Sequence, residues 1–212
     1  MSLSEPTTLA SDWVLAAVAV ALGIALFRAA AGERRQARRL WAAAFLAGAV
    51  AALAGGAAHG FAASLSLFAH GVLWKTVLVG TGLAGGLILA GTVLATLGGS
   101  WRAGLLAGAA GQLALYLALV AGSNDVRLAV WNGAITIVAL LGIVLATASH
   151  DPRRLAWVLL GLGLSAAGLS ATLTVNAPPA LAKAFSPAAI ARKVDALNRL
   201  LVAAEAPSVP EE

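Results

Sequence analysis

The chain has 212 residues, of which 60% are hydrophobic and only 11% are charged. Soluble domains carry about 25% charged residues, so this composition excludes an ordinary soluble domain. The absence of cysteine excludes disulfides and thiolate-bound metals. The formal net charge of +5 does not indicate a nucleic-acid partner, because the basic residues lie between apolar blocks, where they set membrane topology.

The apolar residues form blocks of roughly 18 or more, the length needed to cross a hydrocarbon core. Six such blocks predict transmembrane helices at about residues 13–27, 40–58, 71–97, 103–122, 128–148 and 155–174. The first block follows a polar segment that contains Glu5 and Asp12 but no lysine or arginine. Because a signal peptide begins with positive charge, we expect this block to be a retained helix.

A seventh helix is predicted over residues 187–205. Ser186 and Pro187 are typical of a helix start, and apolar residues then recur at helical spacing. Arg192, Asp195 and Arg199 form a charged stripe on the opposite side. The helix therefore either crosses the membrane with this stripe facing the bundle or lies on the surface; we favour crossing. The expected fold is all-α, a single seven-helix transmembrane domain over 1–212, with a short acidic tail at 206–212.

The loops differ in positive charge. The predicted inner loops hold eight arginines: Arg28, Arg34, Arg35, Arg38, Arg39, Arg102, Arg153 and Arg154. The predicted outer segments hold Arg127, with Lys75 at a helix end. Cytoplasmic loops are enriched in such residues, so the sequence predicts a multi-pass protein of the bacterial inner (plasma) membrane with its N-terminus outside.

This topology places a candidate ligand-binding cluster near the outer face, formed by His59, His70, Lys75, Asp125 and Asn132. His59 ends one predicted helix and His70 begins the next, so the two should lie close together. Lys75 either extends its ammonium outward to water or serves as counter-charge to an anionic ligand. An anionic headgroup or carboxylate would suit the lysine and the two histidines.

Two imidazoles at one depth also match half of a zinc site, which requires three or four ligands. The alternative is a pair of interfacial histidines bonded to water and loop carbonyls. Since the final predicted helix contains no histidine, we expect no cofactor, with zinc bound by His59 and His70 as the alternative.

Several short motifs of this chain resemble those of a membrane-protein family. Glu5-Pro6-Thr7-Thr8 before Asp12-Trp13, Leu40-Trp41-Ala42-Ala43-Ala44-Phe45, Gly55-Gly56-Ala57-Ala58-His59-Gly60 and Leu73-Trp74-Lys75-Thr76 resemble an uncharacterised family of bacterial seven-helix membrane proteins. That family is distantly similar to the alkaline ceramidase and progestin/adiponectin receptor superfamily of zinc-dependent membrane amide hydrolases.

The resemblance implies a seven-helix fold and a degenerate metal site. His59 matches the histidine of the second helix in the hydrolases. Gly55 stands where their serine would be, and His70 where their aspartate would be. The final helix offers Pro187 and Arg192 in place of two histidines.

Three functions follow from these observations. The first is a non-catalytic ligand-binding, scaffold or accessory protein with a polar cavity near the outer face, whose partners are membrane lipid and other membrane subunits. The second is a zinc-dependent membrane hydrolase of lipid amide or ester bonds. The third is a small transporter, for which Lys75, Gln112 and Asn132 are the polar residues available inside the apolar blocks.

Overall fold

A computed structural model describes residues 3–32 and 34–148, and all regular structure in this part of the chain is helical. The helices are α1 (Pro6–Arg28), α2 (Arg35–Gly60), α3 (Leu67–Thr96), α4 (Gly99–Gly122) and α5 (Val126–Ala148), with a short 3-10 helix at Ala62–Ser64 between α2 and α3. All five are long and apolar enough to cross a membrane. The sixth and seventh predicted helices, 155–174 and 187–205, and the acidic tail lie outside the described residues.

All five described helices begin before their predicted starts, by two to seven residues. α1 begins at Pro6 rather than at residue 13, because proline at the first helical position has the required φ and lacks only an N–H that would be unpaired there anyway. α2 begins at Arg35 and α4 at Gly99. Arginines that were assigned to loops therefore belong to first helical turns, and Asp12 lies within α1.

α2 and α3 form the centre of the described bundle. α2 packs against α1 on one side and α3 on the other, and α3 also packs against α4 and α5. The α1–α2 interface is built from alanines, with Ala16, Ala19 and Ala49 buried. Their small side chains let two helix backbones approach closely, which is how membrane helices gain packing contacts without a hydrophobic driving force.

Aromatic side chains lie over glycines at three helix contacts. A Cβ added to Gly56 would lie 2.8 Å from the Trp13 ring, one added to Gly91 would lie 2.6 Å from Trp41, and one added to Gly82 would overlap the Tyr116 ring. Each contact joins two different helices, so these three glycines set the separations between α1 and α2, α2 and α3, and α3 and α4.

Glycines of α3 pack against side chains of α4, whereas two glycines of α4 do not pack against the described residues. Gly82 lies under Tyr116 and Gly86 against Leu113. Gly104 and Gly108 of α4 have no described heavy atom within 4 Å of an added Cβ. The packing between α3 and α4 therefore places glycines of α3 against large side chains of α4.

Candidate functional site

The site forms where the chain start, the end of α2 and the start of α3 come together. Ser4 donates its backbone N–H to the Gly60 carbonyl at 3.0 Å, and its hydroxyl accepts the Ala63 N–H at 3.2 Å. α3 then starts at a Ser66 N-cap, whose hydroxyl accepts the Ala69 N–H. These local bonds hold the α2–α3 link against the segment that precedes α1.

His59 pairs with Glu5 at this position. Its Nδ1 lies 3.3 Å from Glu5 Oε2, and the two side chains are about half-exposed. The Thr8 hydroxyl donates to the same Glu5 oxygen at 3.1 Å, which fixes the carboxylate at the start of α1. Sequence reasoning placed Glu5 and Asp12 in a polar leader and so did not include either acid in the site.

Asp12 is the second acid of this region. Its Oδ2 lies 3.4 Å from where a Cβ of Gly55 would be, so the carboxylate fits against the glycine surface of α2. It is close enough to His59 for an electrostatic interaction with the imidazole. The signal that could have identified both acids is their spacing of seven residues, which places them on one face once the helix is known to begin at Pro6.

Trp74 of α3 brings the two histidines together. The His70 ring stacks on it with centroids 6.4 Å apart, and the His59 ring meets it edge-on at 6.1 Å. The indole N–H donates to the Asn124 carbonyl in the α4–α5 link at 3.1 Å. His59 and His70 thus share a contact with one indole ring.

The environment of Lys75 differs from both alternatives predicted from the sequence, an ammonium extended to water or a counter-charge to an anionic ligand. Its ammonium donates to the carbonyl oxygens of Val120 and Ser123 at the end of α4. The Val120 carbonyl also accepts the Ser123 N–H at 3.3 Å, and the helix dipole makes this end of α4 partially negative. Lys75 therefore joins α3 to α4 within the protein.

Asp125 and Asn132 do not join the cluster around Trp74. Asp125 Oδ1 accepts the Arg127 N–H at 2.9 Å, as an acid preceding a helix commonly does. Asn132 is buried in α5, where its side-chain oxygen accepts a hydrogen bond from Gln112 at 3.2 Å. The structure therefore separates the five predicted residues into one group around Trp74 and three residues with other partners.

Within residues 3–32 and 34–148, no three histidine or acidic side chains are grouped as a metal centre requires. The chemistry that the cluster offers is ionic and hydrogen-bonding: carboxylates from α1, imidazoles from α2 and α3, and an indole between the imidazoles.

Comparison with known proteins adds one result. No curated protein and no solved structure matches the chain significantly, and no comparison supports the resemblance to alkaline ceramidases and progestin/adiponectin receptors. One family model does match, over residues 7–191, and it covers all five helices and the cluster apart from Glu5. The chain belongs to this family, DUF6962, a family of unknown function.

Proposed function

We propose that this chain is a non-catalytic, multi-pass membrane protein that binds the polar headgroup of a membrane lipid at the bundle end formed by Glu5, His59, His70 and Trp74. The observation that carries the proposal is the Glu5–His59 pair, 3.3 Å apart, beside an indole that also contacts His70. In this proposal the N-terminus is outside the plasma membrane, seven helices cross it, and other membrane subunits are possible partners. Neither nucleic acid nor a cofactor is required.

The charges of the cluster favour a zwitterionic headgroup over an anionic one. Lys75, the residue that suggested an anionic ligand, directs its ammonium to helix carbonyls. Glu5 instead pairs with His59, and the Asp12 carboxylate lies against Gly55, one helical turn before His59 in α2. An ammonium would be attracted to the acids, while a phosphate would accept hydrogen bonds from the imidazoles. Phosphatidylethanolamine carries both groups.

The experiment compares lipid retention by native mass spectrometry. Purified protein is placed in phosphatidylcholine nanodiscs that contain equal small amounts of phosphatidylethanolamine and phosphatidylglycerol. We expect the wild type to retain phosphatidylethanolamine preferentially, and Glu5→Gln to lose that preference. Asp125→Asn is the matched control, because it also removes one carboxylate charge but from a helix cap outside the cluster. Equal retention of the two lipids by the wild type, or equal loss in both variants, contradicts the proposal.

The zinc-dependent hydrolase is the alternative that elemental analysis distinguishes. A catalytic zinc site uses three protein ligands and a water. Stoichiometric zinc in the wild type, lost in both His59→Ala and His70→Ala, would replace the lipid-binding proposal by a metal-dependent one. Zinc that survives both substitutions would not implicate this cluster.

A small transporter is favoured by a different observation. Gln112 of α4 and Asn132 and Thr136 of α5 form a hydrogen-bonded polar group between helices. Polar residues inside a membrane bundle often mark a substrate path. Uptake of a solute into proteoliposomes that is lost in Asn132→Leu but kept in Glu5→Gln would support transport.

A further inference from the structure

A second candidate site lies away from the histidines, between α3, α4 and α5. It is a cavity of about 440 Å³, within the range of about 300–1,000 Å³ that is typical of small-molecule sites. Apolar side chains line it, among them Leu89, Val93, Trp101 and Ile143. Gln112 is the only amide, hydroxyl or charged side chain among its described lining residues.

The orientation of the Gln112 amide is fixed by its neighbours in α5. Its Nε2 lies 3.1 Å from Thr136 Oγ1 and 3.2 Å from Asn132 Oδ1. It also lies 3.4 Å from the Asn132 backbone oxygen, which can only accept. Thr136 already donates its hydroxyl proton to the Asn132 backbone oxygen at 2.8 Å. If the Gln112 amide were flipped, its oxygen would therefore face other acceptors rather than donors. The nitrogen therefore faces α5.

The amide oxygen of Gln112 therefore faces away from α5. No donor within residues 3–32 and 34–148 makes a hydrogen bond to Oε1. An acceptor in an apolar setting without a partner costs free energy, since no bulk water is present in a hydrocarbon layer to satisfy it. A ligand that brings one donor into the cavity would remove this cost.

The side chains that line the cavity restrict the charge and the length of the rest of the ligand. No charged side chain is among the described lining residues, so an ionic group would enter without compensation. The cavity extends along α4 from Trp101 to Gln112, which at about 1.5 Å per residue is roughly 16 Å. Trp101 is 77% exposed and lies at the end opposite to Gln112, where a molecule dissolved in the membrane can enter.

We propose that this cavity binds a membrane-dissolved alcohol, an elongated hydrophobic molecule with a single hydroxyl that donates to Gln112 Oε1. The apolar body lies along Leu89, Val93 and Ile143 toward Trp101. Asn132 and Thr136 act as positioning residues, since they hold the amide nitrogen and so direct the oxygen into the cavity. This site is separate from the proposed lipid headgroup site, which is formed by Glu5, His59, His70 and Trp74.

The test uses two photoactivatable probes of equal chain length, a 16-carbon diazirine alcohol and its methyl ether, on the full-length protein in nanodiscs. The ether keeps the apolar body and lacks the donor. We expect the wild type to be labelled on α3, α4 and α5 by the alcohol, about threefold to tenfold more strongly than by the ether, as one hydrogen bond predicts. Gln112→Leu should label equally with both probes.

A second pair of variants keeps the test decisive if Gln112→Leu folds poorly. Gly108 lines the cavity and has no described heavy atom within 4 Å of an added Cβ, so Gly108→Leu should fill the cavity and lower labelling by the alcohol. Gly104→Leu is the control, one turn away in the same helix, equally without a described atom near an added Cβ and not among the described lining residues. Equal labelling of the wild type by alcohol and ether overturns the proposal. So does crosslinking of this surface to a second copy of the chain, which would make it a protein interface.

Discussion

Replacing Gly82 with alanine tests how α3 and α4 are held together. The added Cβ would overlap the Tyr116 ring, which is only 4% exposed. The ring cannot move aside freely, because the Tyr116 hydroxyl donates to the Leu78 carbonyl at 2.7 Å. We therefore expect Gly82→Ala to separate the two helices or to displace the tyrosine from this hydrogen bond.

Three contributions determine how much Gly82→Ala lowers the free energy of unfolding. Overpacking costs about 1–3 kcal/mol, and loss of a hydrogen bond between membrane helices costs about 0.6 kcal/mol. Alanine returns about 1 kcal/mol through its higher helix propensity. Gly82→Ala should thus be destabilising by about 0.6–2.6 kcal/mol.

Gly104→Ala is the matched control, because it makes the same change inside a helix with no described heavy atom within 4 Å of the new methyl group. Gly104→Ala should be more stable than the wild type by up to about 1 kcal/mol, because alanine has a higher helix propensity than glycine. The two variants should then differ by about 1.6–3.6 kcal/mol, or roughly 3–14 °C in Tm at ~2–4 °C per kcal/mol. Thermal unfolding in detergent, followed by circular dichroism, measures this. Equal Tm values would show that Gly82 and Tyr116 are not in contact.

Three further predictions concern other contacts. Tyr116→Phe keeps the ring over Gly82 but removes the hydroxyl, so unfolding in detergent should become easier by about 0.6 kcal/mol and at most about 1.7. Lys75→Met keeps the apolar stem and removes the charge at the end of α4; it should lower the free energy of unfolding by up to about 2 kcal/mol, whereas a lysine directed to water would give almost no change. Since the chain has no cysteine, membrane-impermeant maleimide applied from outside should label Asn124→Cys and spare Gln36→Cys, and the reverse result would invert the proposed topology.

Sequence reasoning predicted the five described helices because each is a long apolar block, a local property of the chain. It misplaced the start of α1 because residues 6–12 are polar, and hydropathy alone assigns such residues to a loop. The proline at the first helical position, after Glu5, was the stronger signal. Because the helix begins at Pro6, Asp12 and Trp13 contact Gly55 and Gly56 of α2.

The partners of the site residues could not be predicted in the same way. Lys75 is 45 residues from Val120 and 48 from Ser123, and no sequence pattern links a lysine near the start of one helix to carbonyls at the end of the next. The same applies to Trp41 over Gly91, where periodicity identifies a small residue but not the side chain that covers it. Such pairs depend on how the helices pack, which local spacing does not determine.

The Trp74–Lys75 pair explains why the headgroup site is tied to the rest of the bundle. Trp74 contacts both histidines with its ring and bonds the Asn124 carbonyl with its N–H. Lys75, the next residue, bonds two carbonyls at the end of α4. A shift of α3 at this level would therefore disturb the His59 and His70 contacts and the α4–α5 link together. A ligand held at the proposed site, between Glu5 and the imidazoles, would therefore act on α4 through two adjacent side chains.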